Sequence, residues 1–188
     1  MSDLGLSVYE AFSFLDEFLN DVSKLLTSIN EKLSNKRLIA LGDAATFWDH
    51  SRAYYAPKQW MPKYIIRHYT KEKFIDKRNS WIVPWLVFFV VYLYPDRFKN
   101  PVAAWGCITQ KDVKNIYKTL DKLDLYEQNP KFLKKVPTEE WTEIDDLPDS
   151  LSGFKYQSIW LTNLRDTKIV DTLVIQPLLN EAKSLRGP

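Results

Sequence analysis

Residues 81–94 read WIVPWLVFFVVYLY, and residues 95–108 continue as PDRFKNPVAAWGCI. The first stretch has no charged residue, and eleven of its 14 positions are β-branched or aromatic. That composition favours a strand over a buried helix. Both alternating faces are apolar, so the strand is expected to be covered on two sides. Pro84 belongs at its start or at a bulge, because proline cannot donate to a ladder. The link 95–100 is short enough for a hairpin, and 101–109 is its returning arm. Gly106 marks a place where a large neighbour, such as a tryptophan, presses on bare backbone.

Working outward, Phe154–Leu161 alternates in the period of a strand, and it is the third strand expected. On the N-terminal side lies a helix over 7–34. Val8, Phe12, Leu15, Leu19, Val22, Leu26, Ile29 and Leu33 recur at alternate spacings of four and three. Ser7 and Glu10 have the spacing of a capping box, and Asn35 is a natural stop. Phe18 and Leu25 widen the apolar stripe, which suits packing on the protein's own core. The strict seam suits self-association or a partner helix.

Residues 36–56 are ambiguous. Arg37–Leu41 fits either a short strand or more helix. Asp43 could cap a helix through Phe47, Trp48, Tyr54 and Tyr55, ended by Pro57. Pro62 suits the first turn of a further short helix carrying Tyr64, Ile65, His68 and Tyr69. Thr109 and Asp112 predict a helix to about Tyr126, with Val113, Ile116, Tyr117, Leu120 and Leu123 inward. The stretch 127–153 has no periodicity and carries Pro130, Pro137 and Pro148, which predicts a long acidic loop or flap. Residues 165–186 fit either one kinked helix or a strand followed by a helix. The class expected is α+β: a small, mainly antiparallel sheet on the 81–94/101–109 hairpin plus the strand near 154–161, covered by helices, in one domain spanning 1–188.

Two charge segments stand out. Arg52, Lys58, Lys63, Arg67, Lys71, Lys73, Lys77 and Arg78 face only Glu72 and Asp76 between positions 50 and 78. Tyr54, Tyr55, Trp60, Tyr64 and Tyr69 are interleaved with them. Cations mixed with aromatics suit phosphate backbones and stacked bases. The plainer alternative is a solvated face with its aromatics turned inward. The binding residues this singles out are Arg52, Tyr55, Lys58, Trp60, Lys63, Arg67, Lys71 and Lys73. Opposite in sign, Glu139, Glu140, Glu143, Asp145, Asp146 and Asp149 fall within 138–149 without a Lys or Arg. A solvated acidic loop is the ordinary use of such a run. A sharper use is a mask over the basic segment.

Catalytic signatures are absent from the sequence. No glycine-rich phosphate loop, H-E-x-x-H or G-x-S-x-G occurs. Residues 101–109 lack the acid-x-Lys pair that small nuclease cores place on a central strand. The two histidines, His50 and His68, have no zinc spacing. They would join Arg52 and Arg67 in an enzyme site only if the fold brought all four together. The one cysteine, Cys107, lies in an apolar strand and reads as core.

No metal or cofactor is expected. MSDLGLSVYE lacks the pattern of a secretory signal, and the longest apolar run is shorter than a membrane span. A cytoplasmic protein is therefore expected, without a membrane partner. The function expected is non-enzymatic binding, through the basic–aromatic face or through helix 7–34 to a protein or to itself. Nucleic-acid or other polyanion binding by the basic segment is the alternative, and the His50/Arg52/Arg67/His68 enzyme is the third.

Overall fold

A computed structural model describes residues 3–42, 45–47, 62–75, 82–93, 95, 97–127 and 130–185. The class is α+β, and every strand pairing described is antiparallel. The central hairpin is β4 (Trp85–Tyr92) and β5 (Val102–Gln110), in register from Trp85↔Thr109 to Tyr92↔Val102. All eight β4 residues are buried, as its two apolar faces require. Pro84 sits immediately before β4, where its missing N–H costs no ladder bond, and its carbonyl accepts the Gln110 amide at 2.9 Å.

Strand β3 (Tyr64–Lys71) flanks β4. On β3's outer edge, β1 (Leu38–Ala40) and β2 (Ala45–Phe47) pair end to end. Beyond β5 come β7 (Leu151–Trp160) and then β6 (Thr138–Glu143).

Helices cover both sides. Against one face lie α1 (Asp3–Ser34) and the C-terminal helical run, burying Val22, Ile29, Leu33, Val174 and Leu178 on Val87, Phe89 and Cys107. Against the other lie α2 (Tyr117–Lys122) and the chain through Leu133, on Leu86, Phe88 and Phe154. Buried hydroxyls fasten that second layer: Tyr92 donates to the Leu125 carbonyl at 3.1 Å, and Tyr156 to the Phe132 carbonyl at 2.8 Å. Buried donors need such partners.

The structure departs from the sequence expectations at identifiable places. Residues 62–69 are not a helix but belong largely to β3. The β-branched and aromatic content of YIIRHYT outweighs the helix-start signal of Pro62. Of the helix expected after Asp43, positions 45–47 are strand β2, and Trp48–Tyr55 lie outside the described residues. Arg37–Leu41 holds the short strand β1. α1 already runs from Asp3, so Ser7 and Glu10 lie inside it and do not cap it.

The 109–126 helix shrinks to α2. Thr109 is still in β5, and the Gln110 side chain holds the Val83 and Lys114 carbonyls, folding 111–114 into turns. Asn115 is the residue that caps, accepting from the Tyr117 amide at 3.0 Å. The 127–153 stretch is no free flap: it contains β6, paired with β7. At the C-terminus α3 (Thr167–Val170), a π-turn (Asp171–Ile175) and α4 (Gln176–Ser184) follow one another in helical geometry, with no strand. Pro177 lacks the N–H an α-turn needs and its ring crowds the preceding turn. The wider π-turn just before it relieves both.

Candidate functional site

The seam of α1 divides into two halves. Val22, Ile29 and Leu33 are buried, and Phe18, Leu19, Leu25 and Leu26 are partly so. Residues 5–12 are all exposed. This first part forms an arm on which Leu6, Val8, Tyr9, Phe12 and Phe14 are 50, 49, 69, 63 and 66% exposed. Single exposed apolar side chains are ordinary, whereas five within nine residues of one helix make this arm a candidate contact surface. Phe14 stacks on Phe18 with ring centroids 6.3 Å apart. Phe18 in turn lines a groove of about 450 Å³ between α1 and the segment 161–170. The groove's apolar wall is Phe18, Val22, Leu25, Leu161, Leu164 and Val170. The sequence predicted the seam; it held no sign of where the underlying core stops.

Of the basic–aromatic residues, Arg52, Tyr55, Lys58 and Trp60 lie outside the described residues, as does His50. Lys63 and Arg67 are half-buried, and the Arg67 guanidinium donates to the Gly42 carbonyl at 3.3 Å. Lys71 lies 5.4 Å from the Trp85 ring centre, and Lys73 lies 4.5 Å from that of Phe74. Such contacts hold a cation over a ring face. Tyr64 and Tyr69 are buried in the two cores, so neither ring is open to stack on a base. The Glu72 amide bonds the Arg37 carbonyl at 3.3 Å, which brings Lys36 and Arg37 beside Lys71 and Lys73.

The acidic run lies elsewhere. Three strands separate β6 from β3, a distance of about 19 Å at ~4.8 Å per step. It does not cover Arg67, Lys71 or Lys73. A second cavity of about 570 Å³ opens between β6 and the 122–135 segment. Its rim mixes Lys122, Lys131, Lys134 and Lys135 with Asp124, Glu143, Asp145 and Asp146, over a floor including Phe132, Phe154 and Tyr156. Lys131 already pairs with Asp124 at 3.2 Å.

Arg67 and His68 do not share a pocket. Successive strand residues point to opposite faces. Arg67 keeps phase with Tyr69 on the α1 side, while His68 keeps phase with Tyr64 and Ile66 and meets the Tyr126 ring at 5.9 Å on the α2 side. Burial lowers the His68 pKa to about 3, so the ring is neutral at physiological pH. Burial likewise pushes the Cys107 thiol up to about 12, which makes it a packing group and not a nucleophile. Among the described residues no group of three or more His, Cys, Asp or Glu could hold a metal, and no helix is long and apolar enough to cross a membrane.

Comparison with known proteins finds no matching family model, no similar curated protein and no similar solved structure. What the chain does must therefore be argued from its own surfaces.

Proposed function

We propose that this is a non-enzymatic interaction protein whose contact element is the first half of α1. One observation carries this: the arm exposes Val8 and Phe12, on the same side of the helix that further on buries Val22, Ile29 and Leu33. A side chain such as phenylalanine gains roughly 1.5–3 kcal/mol on leaving water. The arm leaves that gain available to a partner.

The test is a photoreactive benzophenone side chain at Phe12 of the full chain, with Asn180 on the exposed side of α4 as control. Irradiation in cells is expected to give protein adducts from position 12 and none from position 180. A lack of adducts from position 12, or equal labelling from both, contradicts the proposal.

Polyanion binding is the second reading, favoured by the gathering of Lys36, Arg37, Lys71 and Lys73 at one corner. None of these four is ion-paired among the described residues. Oligonucleotide binding that weakens steeply with salt, and is lost on charge reversal at Lys71 and Lys73, would support it.

A further inference from the structure

We infer that the occupant of this contact element is a second copy of the same chain, laid antiparallel, with each arm in the other's groove. The inference rests on the interaction reading above and names its partner.

The two surfaces are self-complementary. The projecting arm and the apolar groove lie along a single helix. The middle of the arm and the middle of the groove's α1 wall are about 13 residues apart, or about 20 Å along the axis. A two-fold axis crossing α1 near position 16 exchanges them, so both arms and both grooves are filled at once. Closed two-fold contacts have this isologous form.

The flank of α1 turned to the groove fits such a pairing. Ser7, Ala11, Phe14, Phe18, Leu25 and Ser28 share that flank at spacings built from fours and threes. About this axis Phe14 of one copy lies beside Phe18 of the other. Ala11 lies beside Asp21, and the small Ser7 leaves room for Leu25. Val8 and Phe12 continue the core-facing side of α1. In the pair they turn down onto Leu161 and Leu164, which line the partner's groove.

Charge and area agree. Between residues 5 and 17 the arm carries Glu10, Asp16 and Glu17 and no Lys or Arg. At the groove rim, Lys24 pairs with Asp21 at 2.9 Å, and Asp166 accepts the Lys168 and Ile169 amides. Arg165 bonds the Thr162 carbonyl and has no carboxylate partner among the described residues, so an acidic arm meets an unmatched cation. Val8, Phe12 and Phe14 together expose roughly 300 Å² on each arm, scaled from whole side-chain areas. Two arms and the two surfaces they cover give about 1,200 Å², the lower end of a specific interface. The dimer is therefore a reversible one.

The test uses the purified full chain. Light scattering after size exclusion is expected to approach twice the 22.2 kDa of the chain as concentration rises. Phe14→Glu is expected to stay at the single mass and to melt like the wild type at dilution, since that side chain is exposed in the single chain. Ala11→Cys and Asp21→Cys chains, mixed and mildly oxidised, are expected to form the mixed 11–21 disulfide; the native Cys107 is buried. A single mass at every concentration overturns the inference, and so do 11–11 and 21–21 disulfides without the mixed one. If the purified chain stays monomeric while the position 12 photoprobe labels another protein, the second copy is excluded and the contact element stands. Should that probe label nothing, both readings fall.

Discussion

His68 is the clearest case of one residue setting a condition on the whole fold. Its ring is buried and neutral, with a pKa lowered to about 3 from the usual 6.5. Between those values the unfolded chain binds a proton that the folded chain refuses, so stability falls as pH drops. The expected slope is about 1.4 kcal/mol per pH unit below 6.5, levelling off near 3. Urea titrations at several pH values measure it. His68→Gln should remove this component; an unchanged slope in that variant would assign the acid sensitivity to other groups.

Gly106 makes the second residue-scale case. A Cβ there would overlap the Lys155 carbonyl oxygen and meet the Phe88 ring at 2.8 Å. Gly106→Ala should therefore cost about 1–3 kcal/mol, the usual range for overpacking. A chemical melt within about 0.5 kcal/mol of wild type, the ordinary scatter of a surface change, would mean the hairpin yields there. The sequence showed that something large presses on Gly106, but its partner is Phe88 and no tryptophan. Only the register Phe88↔Gly106 decides that, and register is a property of two strands together.

Among the elements, α1 is the one whose halves do different things. Ile29 is fully buried and Phe12 is 63% exposed. Truncating each to alanine should separate them. Ile29→Ala is expected to cost about 2–5 kcal/mol by leaving a cavity. Phe12→Ala, read on the chain at dilution, should stay within about 0.5 kcal/mol. Equal costs would mean that the arm packs on its own core.

Elements were legible where a single local pattern dominates. The hairpin announces itself by composition and the long helix by its heptad spacing. The strand β3 was misread because Pro62 signals a helix start, while the strand itself is held by long-range pairing to β1, β2 and β4. The acidic stretch was misread as a flap for a related reason. β6 carries little apolar signal of its own because it is an edge strand, paired on one side only among the described residues. Glu140 and Glu143 have a structural use in that position, since charge on an edge discourages pairing with another sheet.

At the scale of the molecule, one antiparallel sheet is sandwiched between two helical layers, and the α1 layer overruns it. Both faces of the hairpin were expected to be covered, and both are. The overrun was not legible, because a heptad seam looks the same whether or not a core lies beneath it. Whether residues 5–14 await a partner is most directly measured by amide hydrogen exchange of the full chain across a range of protein concentration. Local stability follows burial. At high dilution the amides of 5–14 are expected to exchange much faster than those of 22–33, and to become protected as concentration rises while 22–33 stays constant. Arm amides as slow as those of 22–33 at the lowest concentration would contradict the claim that the arm is built for contact.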